Sequence, residues 1–240
     1  MNRATSNELK PGLRDVLMNR LARPAIFALA LACAGCSAFK GTSRDEATSQ
    51  MTWDFANDAV IVEIAAQPNL NQYGDEAHTL LLGVYQMSDA APFRDLSADP
   101  VSLAKAMESG KAGTSFLQFS RYVVSPGQRS IMILDRAQTA KYIGVTAGYY
   151  RMGASTATRL FDVPVKVTSK GWVSSTYSAV PAPLIVRMNF GAETILNSQN
   201  LDAGPAPKDM QNAVALDGGG KEIKLSADDP RYATAQKTGN

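Results

Sequence analysis

Apolar residues fall along this chain in short stretches divided by proline, glycine and amide-rich segments. The plainest alternation sets Phe161, Val163, Val165 and Val167 against Asp162, Pro164, Lys166 and Thr168, the period of two of a half-buried strand. Pro164 has no N–H to offer a ladder, so it confines that strand to a sheet edge or to a position whose amide is unpaired. Leu184, Val186, Met188 and Phe190 alternate with Ile185, Arg187 and Asn189 in the same way. Residues 59–66 are β-branched and free of breakers, and 80–87 are mostly apolar, which predicts a strand buried on both faces. Further strands are predicted at 116–124, at 129–134 after the Ser125-Pro-Gly127 turn, and at 142–150.

Between the second and third of these the period changes. Asp89 starts a short turn through Phe93 and Leu96, and Asp99 with Pro100 supplies an N-cap and first-position pair for a helix over 101–109. Gly110 and Gly113 end it. Residues 67–77 carry Pro68, Gly74 and a cluster of Asn and Asp, which is loop chemistry. About 7–8 short antiparallel strands with one short helical insertion argue for a mostly β protein, a β-sandwich over 57–190. After Phe190 the character changes. Residues 191–201 suit a short helix or an extra strand, and 204–240 are rich in Gly, Pro, Asp, Lys and Ala. The C-terminal extension 191–240 is therefore expected to be partly disordered.

The N-terminal end carries an address. Arg20 and Arg23 precede the uncharged run Pro24–Gly35, and Ala34-Gly35-Cys36-Ser37 closes it. Basic flank, apolar stretch, small residues and cysteine make an export signal over 1–35, with cleavage before Cys36 and lipid on that residue. The run is shorter than the roughly 20 residues a membrane-crossing helix needs. Cys33 stands where such signals usually place an aliphatic residue and is the alternative acylation site. Met18 is an alternative start. Ser37, where an aspartate would retain the protein at the inner membrane, points to the outer membrane. Residues 36–56 are small and polar and are expected to be a flexible spacer.

Removal of 1–35, with five basic and two acidic residues, takes the net charge from +2 to about −1. No basic patch remains for nucleic acid. Both cysteines lie in or at the end of the signal, so packing alone must hold the fold. Candidate chemistry is sparse. His78 is the sole histidine and no Gly-x-Ser-x-Gly elbow is present, which leaves a hydrolase little to work with. One histidine and no cysteine inside the domain do not make a metal site, and Asp75-Glu76 lacks the spacing of a calcium loop. Gly218-Gly-Gly-Lys221 lacks the spacing of a phosphate loop and is expected to be linker. Tyr142, Tyr149 and Tyr150 lie in a strand, where core packing is the default. Tyr73 is different, because it sits in mid-loop beside Leu70, Asn71 and Gln72. Such a set suits a protein contact, or a loop that folds its own Tyr and Leu back onto the sandwich.

The order of five pieces resembles the TssJ family (also called SciN or VasD), outer-membrane lipoproteins of type VI secretion systems. They are the signal ending at Cys36, the strand–loop–strand 60–87 ending in Val84-Tyr-Gln-Met87, Phe93 with Leu96, Val124-Ser-Pro-Gly127, and Lys141–Arg151. The resemblance covers roughly residues 55–190. It implies a transthyretin-like β-sandwich, no catalytic activity, no small-molecule substrate, and no cofactor beyond the covalent lipid on Cys36. It also implies a scaffold on the periplasmic side of the outer membrane that holds the periplasmic C-terminal domain of TssM. Family contacts involve the loop between the first two strands, here residues 69–79. Asn69, Leu70, Asn71, Gln72, Tyr73, Gly74, Asp75 and Glu76 are thereby implied as partner-binding. Cys33, Gly83 inside a strand, an extra Tyr before Arg151 and about 50 residues after Phe190 depart from the family pattern. The alternative is a periplasmic lipoprotein that binds a small ligand or carbohydrate.

Overall fold

The β-branched run that begins near Ala59 becomes the long inner strand of a sandwich. The computed structural model describes residues 41–111, 113–171, 175–201 and 212–226. In chain order its elements begin with α1 (Arg44–Ser49), β1 (Ala56–Ala66) and β2 (Leu80–Met87). Two helices follow, α2 (Ala91–Ala98) and α3 (Pro100–Ser109), then β3 (Gln118–Val124), β4 (Arg129–Arg136) and β5 (Tyr142–Gly148). The single-turn α4 (Ala154–Ala157) leads into β6 (Thr158–Asp162), β7 (Val165–Lys170), β8 (Thr176–Pro181) and β9 (Leu184–Phe190). Beyond lie β10 (Ile195–Leu201), β11 (Val214–Ala215) and β12 (Lys221–Lys224).

One sheet runs β10-β9-β1-β4-β12-β11 and the other β3-β2-β5-β6, while β7 and β8 form a separate hairpin. The mostly β sandwich therefore stands as read. Its ladders are antiparallel except one: β1 and β9 run parallel, from Val60 beside Leu184 to Ala66 beside Phe190. The period of two decides the core. Val60, Val62 and Ile64 of β1, Met132 and Leu134 of β4, and Val186 and Met188 of β9 point inward. They meet Leu82 and Val84 of β2, Val145 and Ala147 of β5, and Tyr122 and Val124 of β3. Burying each large apolar side chain contributes about 1.5–3 kcal/mol.

The helical insertion covers the outer face of the smaller sheet, where Tyr85, Met87 and Phe93 form a second buried cluster. Asp99 caps α3 as expected, its carboxylate accepting from the Val101 N–H at 3.0 Å. Gly110 ends the helix at φ +70°, and Arg121 Nη1 donates to the Met107 and Glu108 carbonyls at 2.9 Å.

Three stretches differ from expectation. The alternating run 161–168 is two strands rather than one. Pro164 breaks it, its carbonyl accepting from the Ala182 N–H at 2.8 Å, so β6 stays in the sheet and β7 leaves for the hairpin. The sandwich also continues past Phe190. β10 pairs with β9, and β12 pairs with β4, burying Ile223. Gly218-Gly-Gly220, expected as linker, is the turn between β11 and β12. Gly220 has φ +91°, a Cβ there would collide with Leu134 and the Ile133 carbonyl, and the Gly219 carbonyl accepts from Tyr122 Oη at 2.5 Å. Finally, the described part of the expected spacer is built into the fold. Ser43 Oγ caps α1 by accepting from the Glu46 N–H, and the Tyr177 N–H donates to the Thr42 carbonyl at 3.0 Å. Residues 202–211 and 227–240 of the expected extension lie outside the described residues.

Candidate partner interface

β1 and β9 end side by side at Ala66 and Phe190, and the loop between β1 and β2 starts there. Its first bonds tie it down. The Gln67 N–H donates to the Phe190 carbonyl at 2.9 Å, and the Gln67 carbonyl accepts from Gly127 and Leu70 N–H, each at 3.1 Å. Leu70 then turns fully into the core and is 0% exposed. Of the residues expected at the partner surface it is the one the structure removes, because its apolar side chain is better placed among core neighbours than in water. Asn69 stays exposed beside it.

Asn71 is the brace of the loop. It adopts φ +46°, a left-handed conformation that Asn tolerates better than most residues. Its Nδ2 donates to the Thr79 carbonyl at 2.9 Å, and its Oδ1 accepts from the Tyr150 N–H at 2.9 Å. The Gln72 N–H donates to the Ala192 carbonyl at 2.8 Å, and Gln72 Nε2 reaches the Gly74 carbonyl at 3.0 Å. Tyr73 and Glu76 exchange backbone hydrogen bonds at 3.0 and 3.3 Å around a turn in which Gly74 takes φ +62°. Asp75, Glu76 and His78 are exposed, and the His78 N–H donates to the Leu70 carbonyl.

This bracing presents Tyr73 at 54% exposure against Tyr150 at 65%, their rings 4.1 Å apart and tilted by 37°. A side-chain hydrogen bond with Tyr73 pushes the Tyr150 phenol above the usual tyrosine range. Residues 71–74, 149–151 and 192–193 line a cleft of about 320 Å³ beside the pair. Its polar walls mix amides, phenols, Arg151 and Glu193.

The expected loop is thus only one side of the site. Tyr149–Arg151 and the β9–β10 turn form the rest, including Tyr150, for which the sequence predicts core packing with Tyr149. No signal in the sequence marks it, because a turn past the end of β5 decides which tyrosine faces out. The strand predicted to run to Tyr150 ends at Gly148, where the Tyr149 N–H donates to the Ala147 carbonyl at 2.9 Å. The chain bends there, and Tyr149 turns in, at 3% exposure, while Tyr150 turns out. Among the described residues there is no group of three or more His, Cys, Asp or Glu able to hold a metal ion. Cys33, Cys36 and the signal segment lie outside the described residues. Among the described residues no helix is long and apolar enough to cross a membrane.

Residues 58–178, half of the chain, match the family model described as type VI secretion lipoprotein (VasD, EvfM, TssJ). The type VI secretion lipoprotein TssJ1 of Pseudomonas aeruginosa is 21% identical, with a TM-score of 0.44 over 60% of this chain and 97% of that one. Lip of Serratia marcescens, a membrane-bound component of the type VI secretion system, is 20% identical, with a TM-score of 0.43 over 60% and 98%. None of the curated proteins is significantly similar.

Proposed function

Since the chain belongs to the type VI secretion lipoprotein family (TssJ), we propose that it anchors that system's membrane complex to the outer membrane. Members of this family are structural lipoproteins, not enzymes, and carry no cofactor. In the proposed arrangement acylated Cys36 holds one end, with the domain in the periplasm. The cleft at Tyr73 and Tyr150 holds the periplasmic C-terminal domain of TssM at the other.

The observation that carries this reading is the polarity of the fold. The chain comes in from its N-terminal side near Trp53, whose carbonyl accepts from Thr139 just before β5. Arg136 secures that end, donating from Nη2 to the Asp54 carbonyl at 2.7 Å with its guanidinium 5.5 Å from the Trp53 ring centre. β1, β5 and β9 all run from that end to the opposite one, where they finish at Ala66, Gly148 and Phe190 beside the tyrosine pair. Tether and cleft therefore stand a strand's length apart, about 20 Å for seven residues. A bridge between a membrane and a protein needs its two attachments at opposite ends.

Two exposed aromatics on a backbone already fixed by hydrogen bonds suit a protein partner. Tyrosine buries large area with little entropy to lose, and a pre-ordered loop adds little ordering cost on binding. The experiment is titration of the mature domain with the TssM periplasmic C-terminal domain. Tyr73→Ala and Tyr150→Ala are each expected to weaken binding about tenfold or more, the scale of a loss above 1 kcal/mol at an anchor. Binding of a small saccharide in the cleft without binding of TssM would favour the ligand-capture reading instead.

A further inference from the structure

The hairpin of β7 and β8 stands apart from both sheets, and its two faces differ. Residues directly opposite share a face, so Val165, Val167, Ser169, Tyr177, Ala179 and Pro181 lie on one side. Val167, Tyr177, Ala179 and Pro181 are half-buried there, and α1 packs against the hairpin. The other side carries Lys166, Thr168, Lys170, Thr176, Ser178 and Val180. All six are exposed, and none is acidic.

The tether reaches this hairpin first. The Tyr177 N–H donates to the Thr42 carbonyl, and Tyr177 stands beside Thr176, the partner of Lys170 at the last rung. Cys36 is six residues before Thr42, so a fully extended chain spans at most about 21 Å between them. An acyl group on Cys36 would hold the Lys170–Thr176 end of this hairpin near the bilayer, at about that distance, wherever the rest of the domain turns.

We propose that the open face of the β7–β8 hairpin lies against the anionic headgroups of the membrane, with Lys166 and Lys170 facing lipid phosphates. This rests on the acylation of Cys36 proposed above. The contact gives the anchor a direction. A lipid on a chain leaves the domain free to swivel, whereas two lysines about 13 Å apart along β7 resist rotation about the tether. Each lysine near an anionic surface shifts occupancy about fivefold at moderate salt, and the effect fades as salt screens it. The cleft at the far end of the sandwich is then held outward, toward its partner.

The test uses the acylated, mature chain in vesicles, with a nitroxide on Thr176→Cys read by its accessibility to an aqueous nickel chelate. Relative to pure phosphatidylcholine, vesicles with phosphatidylglycerol should lower that accessibility at least threefold. Lys166→Glu with Lys170→Glu, or high salt, should restore it. A second label on Ala104→Cys, on the exposed side of α3, reports by its unchanged spectrum that the double variant is folded. Mass analysis of Cys36 and Cys33 separates the two ways to fail. A chain with lipid on neither Cys36 nor Cys33 overturns both the anchor and the headgroup contact. An acylated, vesicle-bound chain whose Thr176 label is equally accessible on both lipids overturns the headgroup contact alone.

Discussion

Gly144 shows how tightly single residues are set. A Cβ at this position of β5 would stand 2.5 Å from ring carbons of Phe93, which the insertion lays directly on the strand. Gly144→Ala should cost about 1–3 kcal/mol, read as a lower midpoint in urea, and Phe93→Leu in that background should recover part of it. Loop residues 70 and 73 make a complementary pair. Leu70→Ala opens a core cavity and should cost about 2–5 kcal/mol, while Tyr73→Ala should leave the urea midpoint nearly unchanged. The family resemblance implies both as partner-binding, and composition, which places Leu and Tyr among amides, does not say which of them turns inward. The left-handed Asn71 makes that choice by redirecting the chain between them.

At the scale of elements, strands with β-branched runs or strict alternation were legible, and so was the Asp99-Pro100 start of α3. What escaped were elements whose reason lies elsewhere in the chain. β12 is Lys221-Glu-Ile-Lys224, with one apolar residue to mark it, and it becomes a strand because the edge of β4 is open to it. Lys221 Nζ then meets the Asp58 carboxylate at 2.9 Å. α1 did carry a signal, the Ser43-x-x-Glu46 spacing of a capping box, hidden in a segment that looked like spacer. The alternation across Pro164 misled because it is equally satisfied by two strands with a corner between them. Gly220→Ala should test the β12 assignment. The strained turn should detach the β11–β12 hairpin, exposing the amide of Ile223 to hydrogen exchange much sooner than those of β1.

At the scale of the whole molecule, burial acts on three tyrosine phenols among the described residues. Burial pushes the Tyr85 and Tyr149 phenols well above the ordinary tyrosine range and raises Tyr122 as well, partly offset by Arg121 at Tyr85, by Gly191 and Arg159 at Tyr149, and by Ser120 at Tyr122. A folded-state pKa above the unfolded value contributes stability that is complete below the unfolded pKa of about 10 and is lost as pH rises above it. Urea midpoints should accordingly be flat from neutrality to about pH 9 and then fall. Tyr85→Phe, whose hydroxyl has no hydrogen-bond partner among the described residues, should make that fall shallower.

The same scale decides the function proposed here, since only a molecule with its tether and its cleft at opposite ends works as a bridge. The half of the site on the β1–β2 loop could be read from a family resemblance, whereas the half supplied by Tyr150 required three dimensions. Tyr150 is therefore the sharpest probe. Calorimetric titration of the TssM periplasmic C-terminal domain into the mature domain should show Tyr150→Ala weakening binding at least about tenfold with the urea midpoint unchanged. Wild-type affinity in a folded Tyr150→Ala domain would contradict the cleft as the place where this lipoprotein holds its partner.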